Sequence, residues 1–128
     1  MSPTHRWAKR REVAPADLAQ EPLLVREEGS ATRRVTERAL EQAGVGWRVS
    51  MELGHTEAIK QAVMAGLGVA FVSVHAVRGE VAGRRLMAIR LRRLRIHRHF
   101  HVIHSEARTL SAGARALVAL LSAPAKRG

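Results

Sequence analysis

Cysteine and tyrosine are absent from this chain of 128 residues, and two tryptophans and two phenylalanines are its only aromatics. Without cysteine there can be no disulfide and no thiolate metal site, a composition compatible with a reducing compartment. With so few aromatics the core has to be assembled from Val, Leu, Ile and Ala. Acid is scarce too: 11 Asp and Glu face 22 Lys and Arg, and Asp17 is the only aspartate. No nucleophile elbow, no P-loop and no G-x-G-x-x-G followed by a suitable acid occurs. Gly66-Leu67-Gly68 falls at a helix end and reads as a turn signal. Neither an enzyme activity nor a cofactor is therefore expected. The longest mainly apolar stretch, Leu67 to Val74, is far short of the roughly 20 residues a membrane span needs. No secretory signal is visible after Met1. The expected location is cytoplasmic, with no membrane partner.

What is present is an apolar fraction of 46% and a net charge of +11. The first suits a packed domain. The second raises a basic nucleic-acid-associated protein as one alternative, because Lys and Arg release counterions from phosphates. The densest basic run is Arg84, Arg85, Arg90, Arg92, Arg93, Arg95 and Arg98. Stacking aromatics would make it a more convincing nucleic-acid surface. Phe100 alone is nearby, so the plainer reading is a solvated face.

Apolar spacing sets out the elements. Residues 1–21 are polar and basic and read as an extended lead-in, with a short helical turn opening at Pro15. Leu23-Leu24-Val25 is a short buried strand bounded by Pro22 and Gly29. Val35, Ala39, Leu40 and Ala43 predict a helix over 33–43, capped by Ser30 and stopped by Gly44 and Gly46. Trp47 to Leu53 alternates like a strand, and Thr56 to Ala65 is a helix with Ile59, Ala62 and Val63 on one face. Val69 to Val74 reads as a parallel strand covered on both faces. A loop around Gly79 and Gly83 leads to strands at Leu86–Leu91 and Ile96–His104, then a helix over 112–122 capped by Ser111. The order βαβαβ followed by ββα predicts an α/β fold with a mainly parallel sheet.

Two blocks, Glu28-Gly-Ser-Ala-Thr-Arg33 and Glu57-Ala-Ile-Lys-Gln-Ala-Val63 with Ala65-Gly-Leu-Gly68, together with Pro15-Ala-Asp-Leu-Ala, Gly83-Arg-Arg-Leu and Leu110-Ser-Ala-Gly-Ala-Arg-Ala-Leu, fall in an order that resembles the effector-binding domain of LysR-type transcriptional regulators. That resemblance implies a type 2 periplasmic-binding-protein-like fold, in which two Rossmann-like subdomains flank a cleft for a small metabolite. It makes residues 22–73 the complete second α/β subdomain and 74–125 the crossover and returning part of the first, with 1–21 as lead-in and 126–128 as tail. No segment resembles the family's N-terminal helix-turn-helix, so the chain looks truncated, and DNA contact is expected only through that absent reader. Strands missing from the first subdomain would leave a sheet edge, which predicts weak stability or self-association into a homo-oligomer.

The candidate ligand residues lie at two helix starts and one strand end. Gly29, Ser30 and Thr32 open the first helix, and Gly54, His55 and Thr56 open the second. Free N–H groups and hydroxyls at such positions suit a carboxylate or phosphate. The resemblance places its effector there as well. The plainer reading is that Ser30 and Thr56 only cap their helices. His55 stands where the family more usually has a small polar residue; it either adds a titratable donor or blocks the pocket. Ser73, at the end of an apolar strand, is a third candidate, or else an ordinary turn residue. His97, His99 and His101 share strand parity, but a spacing of about 7 Å is wide for one ion. A solvated face is the better reading, and no metal is expected.

Overall fold

The computed structural model describes residues 1–105 and 109–122. The expected tail 126–128 lies outside the described residues. The chain divides into two compact units, residues 1–98 and 99–128.

In the first unit, Glu12–Val13 (β1), Pro22–Arg26 (β2), Arg48–Leu53 (β3), Val69–Ala70 (β4) and Arg90–Leu91 (β5) alternate with helices Ala31–Gln42 (α1), Thr56–Met64 (α2) and Arg78–Ala82 (α3). Strands β3-β2-β4 form one parallel sheet, and β1 pairs in parallel with β5 in a second. β2 is central because both its faces are apolar. Leu23 and Val25 pack on one side with Leu40 of α1, while Leu24 packs on the other with Ile59 and Val63 of α2. Successive strand side chains point to opposite faces, so three consecutive apolar residues serve two helix layers. Leu23, Leu24, Leu40 and Ile59 are each 1% exposed or less, and burial of each such side chain stabilises by about 1.5–3 kcal/mol.

The strand read at Trp47–Leu53 holds an irregularity that alternation does not show. Leu23 pairs with Val49, but Leu24 pairs with Met51, so Ser50 is skipped. One extra residue exchanges the two faces of a strand. Trp47 accordingly packs with the α1-side cluster, and Met51 and Leu53 with the α2-side cluster.

Both long helices of this unit end alike. Val45 N–H donates to Leu40 C=O and Gly44 N–H to Glu41 C=O; after α2, Leu67 N–H donates to Ala62 C=O and Gly66 N–H to Val63 C=O. This closure needs a left-handed residue, supplied after α2 by Gly66 at φ 80°. Gly68 has a different reason to be glycine. A Cβ there would lie 2.3 Å from the carbonyl oxygen of Pro22, so β4 reaches β2 only without a side chain.

Several expectations need correction. Residues 1–21 are not an extended lead-in. Trp7, Val13 and Leu18 are at most 4% exposed and belong to the same core cluster as Leu23 and Leu40. Trp7 also meets His5 edge-on at 4.9 Å and lies under the Arg6 guanidinium at 5.6 Å. The helical turn at Pro15–Gln20 forms as read, with Ala14 N–H donating to the Asp17 carboxylate. The strand read at Val69–Val74 stops at Ala70; Phe71 and Val72 pack on the two clusters without pairing, and a 3-10 turn follows at Val74–Val77. Burial alone accounts for that apolar run. The strand read at Leu86–Leu91 shrinks to Arg90–Leu91, Leu86 being a core residue outside it. Ile96–His104 forms no strand. The loop around Gly79 contains α3 instead.

In the second unit, helix Ala112–Ser122 (α4) buries no side chain among its described residues. Ser111 caps it as read, its hydroxyl accepting from Ala114 N–H at 3.2 Å. Leu117 and Leu121, four residues apart on this helix, are 55% and 61% exposed.

Replacing Trp7 with Ala is expected to cost about 3–5 kcal/mol in urea unfolding, whereas Leu117→Ala on the exposed face of α4 should stay within about 0.5 kcal/mol. A Trp7→Ala protein as stable as its parent would return residues 1–21 to the status of an unpacked leader. Gly68→Ala should lose roughly 1–3 kcal/mol through overpacking against Pro22.

Candidate functional site

Parallel pairing brings the ends of all three strands to one edge. Arg26 closes β2 opposite Leu53, which closes β3, and Ala70 closes β4 two residues earlier, opposite Leu24. α1 and α2 start just beyond that edge. The strand after β2 lies on one side of it and the next on the other. In open α/β sheets such a reversal leaves a crevice outside the strand ends, where ligands bind. A cleft of about 430 Å³ lies there, lined by Arg26, Thr32, Thr56, Ser73, His75 and Arg98, with Phe71, Val72 and Ala76. That volume falls in the range of small-molecule sites, roughly 300–1,000 Å³.

Three of the residues read from sequence, Thr32, Thr56 and Ser73, are brought together in this cleft. Gly29, Ser30, Gly54 and His55 do not line it. Ser30 stands at the start of α1, but its side chain makes no capping bond; its N–H donates to Glu27 C=O at 3.2 Å. Gly29 C=O accepts from Arg34 at 2.6 Å. Gly54 and His55 are exposed, and the His55 side chain caps nothing. His55 therefore neither adds a donor to this cleft nor blocks it.

Each hydroxyl in the cleft already accepts a hydrogen bond. Thr56 Oγ1 accepts from Arg26 Nη1 at 3.0 Å, Thr32 Oγ1 from Arg98 Nη1 at 2.8 Å, and Ser73 Oγ from His75 N–H at 3.3 Å. A hydroxyl that accepts from a cation or an amide keeps its own proton to donate. Thr56 is thus not the plain cap considered from sequence. Among the described residues, no carboxylate lines the cleft. Two guanidiniums and three hydroxyls thus line the cleft together.

Arg26 is held firmly. Its Nε and Nη2 donate to the two carboxylate oxygens of Glu27, both at 2.7 Å, a bidentate pairing that fixes the plane of the group. Arg33 braces it from behind, donating to Arg26 C=O at 3.0 Å, to Glu37 at 2.8 Å and to Glu52 at 2.6 Å. The hydrogen bond to Glu27 holds the Arg26 guanidinium still more firmly protonated than usual. In return the Arg26 hydrogen bond, then a backbone N–H, hold the Glu27 carboxyl below the ordinary glutamate value. Arg26, Phe71, Val72 and His75 are site residues that sequence reasoning passed over. Arg26 was findable as the last residue of a buried strand; Arg98, 66 positions from Thr32, carried no local signal.

A second cavity, of about 190 Å³, is apolar, with Trp7, Ile59, Val63, Phe71, Leu86 and Ile89 on its walls. Lys60 is its one charged side chain, already engaged by Glu57 and Glu80 at 2.7 Å each. Among the described residues no group of three or more His, Cys, Asp or Glu is placed to hold a metal. His97, His99 and His101 are exposed on irregular chain, so the parity argument for a shared face lapses.

A carboxylate with a depressed folded pKa stabilises the fold above its unfolded pKa, and that contribution vanishes as pH falls through the folded value. For Glu27 the contribution is intact from neutral pH down to the ordinary value near 4.5 and is lost below it. A ¹³C NMR titration should place the Glu27 midpoint below that value, and Arg26→Gln should move it back up. An unmoved midpoint would mean that the pair does not persist in solution.

The chain matches the family model "LysR substrate binding domain" over residues 1–125. It is 43% identical over 116 residues to the HTH-type transcriptional regulator CbbR of Xanthobacter flavus, covering 90% of this chain and 35% of that protein. It is 36% identical over 112 residues to the RuBisCO operon transcriptional regulator of Allochromatium vinosum, covering 88% and 37%. The chain thus spans little more than a third of the length of these curated relatives. The Synechocystis PCC6803 CcmR regulatory domain, solved in complex with 2-PG, superimposes with a TM-score of 0.76 at 25% identity, over 94% of this chain and 58% of that one. The effector-binding domain of QuiR, in complex with shikimate, shares the fold with a TM-score of 0.69 at 11% identity, over 93% and 56%.

Proposed function

The chain belongs to the LysR substrate-binding-domain family, and from that premise we propose that the cleft at the starts of α1 and α2 holds a small anionic effector, a carboxylate or phosphate, whose binding is the sensing event of a transcriptional regulator. The observation that carries this reading is the convergence of Arg26, Arg98, Thr32, Thr56 and Ser73 on one cleft without an acid. Helix starts add their own preference for negative charge. The CcmR regulatory domain, similar over almost the whole chain, is in complex with 2-PG, which makes 2-PG the first compound to test.

On this reading residues 22–73 are the second α/β subdomain, and 74–125 are the crossover and the returning part of the first. The separate β1–β5 sheet supports that division, since it ties Glu12–Val13 to the returning Arg90–Leu91 and not to β2. Sensing requires that the effector bind one arrangement of the protein better than another. DNA is read by a helix-turn-helix belonging to the full regulator, and homo-oligomers carry the signal between copies. The basic residues favour no second reading: the run Arg84 to Arg98 is interleaved with no stacking aromatic.

The test is a calorimetric titration with 2-PG and a panel of small carboxylates and phosphates, with duplex DNA as a parallel ligand at two salt concentrations. Saturable binding of an anion is expected, weakened roughly 3–10-fold by Thr56→Val, which removes one hydrogen bond at constant shape. Silence toward every anion, with DNA affinity falling steeply as salt rises, would instead favour the basic nucleic-acid-associated protein.

A further inference from the structure

We propose that the apolar cavity beside α2 is a second ligand site, which takes a small uncharged apolar molecule, aromatic or branched aliphatic, and that its occupancy acts on the cleft through a wall the two spaces share. The action on the cleft rests on its reading as the effector site; the cavity site does not.

The cavity is built from core side chains. Trp7, Leu18, Ile59, Val63 and Leu86 on its walls are each at most 4% exposed. Protein interiors pack so closely that few voids exceed a water molecule, whereas this space measures about 190 Å³. An apolar cavity of about 150 Å³ in another protein stays dry and takes up benzene. Val74 and Val81, also on the walls, are 68% and 36% exposed, which gives a small molecule a way in from solvent.

The charged groups at the cavity favour an occupant without charge. An ammonium has three N–H donors, and Lys60 has a partner for each: Glu57 and Glu80 at 2.7 Å, and Ala76 C=O at 3.4 Å. The two carboxylates more than cancel its charge. The Met1 amine donates to Met87 C=O at 3.1 Å, and burial pushes its pKa down, toward the neutral form. An ion entering here would lose its water for apolar walls, at a large cost. A ring carrying a methyl group or two loses nothing of the kind and gains the contacts of Ile59, Val63 and Val77.

One stretch of chain separates this cavity from the cleft. Phe71 and Val72 line both. In the 3-10 turn that follows, Val74 and Val77 line the cavity, while His75 and Ala76 line the cleft. The partition is not held in the sheet, because β4 ends at Ala70. Ser73, whose hydroxyl accepts from His75 N–H, sits within it. Close-packed interiors transmit displacement, so a molecule pressed against Phe71 and Val77 on one side repositions Ser73 and His75 on the other.

The test is an NMR titration of the methyl-labelled protein with toluene. Saturable binding is expected, with a Kd on the order of 0.1–3 mM for so small a ligand, and with direct contacts from toluene to the Ile59, Val63 and Val77 methyls. Phenylacetate and benzylammonium carry the same ring with a charge and should reach these methyls at least about tenfold more weakly. Ala70→Leu and Val77→Leu fill the cavity from two walls, and each should weaken toluene at least about tenfold. In the toluene-saturated protein the affinity for 2-PG should change at least about threefold, and saturating 2-PG should change the affinity for toluene by the same factor.

Absence of toluene contacts at these methyls, or equal binding there by the charged analogues, would overturn the cavity site. Undiminished toluene binding by both filling variants would do the same. Should either variant be misfolded by circular dichroism, the contacts in the unaltered protein decide. An unchanged 2-PG affinity would overturn the action on the cleft. If 2-PG does not bind even without toluene, the reading of the cleft has failed and the action on it with it, while the toluene contacts still decide the cavity.

Discussion

The first unit depends on one strand being buried on both faces and paired on both edges. β2 is five residues long, and three of them, Leu23, Leu24 and Val25, are buried. Its edges are taken by β3 and β4. A buried parallel strand satisfies its backbone polar groups through its neighbours and its side chains through the layers above and below. α1 and α2 are amphipathic in the ordinary way and gain their stability by covering this strand. Gly68 belongs to the same constraint: contact between its backbone and Pro22 sets how closely β4 lies against β2.

The cleft follows from that strand with little further specification. β2 must end somewhere, and it ends in Arg26, paired with Leu53. The residues that next turn into α1 and α2 are therefore held at one edge, a few residues from fixed strand ends. β4 leaves the sheet after two residues, and the divergence of Phe71 and Val72 from β2 opens the space that Arg26, Thr32 and Thr56 face. The same apolar residues that keep 71 and 72 packed without pairing thus shape a polar site. The ladder Glu52–Arg33–Glu37, with Arg33 also on the carbonyl of Arg26, ties strand ends to helix and limits how far the site can relax. Its exposed members contribute positioning more than stability, since such pairs are worth little in water.

How far this was legible in the sequence depends on the range of each interaction. The parallel α/β order, β2, the two long helices and their glycine stops are all local, and periodicity with cap and turn chemistry finds them. Thr32, Thr56 and Ser73, which line one cleft, could be picked out because helix starts and strand ends are marked by short-range signals. Ser50 defeated the pattern: Trp47, Val49, Met51 and Leu53 share parity, yet a skipped residue sends them to two different faces. Val69–Val74 was overread because a buried segment is apolar whether or not its backbone pairs. The first 21 residues were underread because Trp7, Val13 and Leu18 are isolated apolar residues in polar chain, with no period to announce burial. Arg98 was seen only as one member of a basic run, because its partner lies 66 residues away.

The two arginines differ in one more respect, which bears on signalling in the proposed reading. Arg26 belongs to β2 and the three-stranded sheet, whereas Arg98 follows β5 and the two-stranded sheet. Sites made only from one sheet would bind equally well whatever that sheet's relation to its neighbour. Equal affinity for two arrangements shifts nothing, however tight the binding. A ligand that engages both guanidiniums has contacts whose geometry depends on how the two sheets are set. Its affinity therefore differs between arrangements, and that difference is the free energy available for a switch.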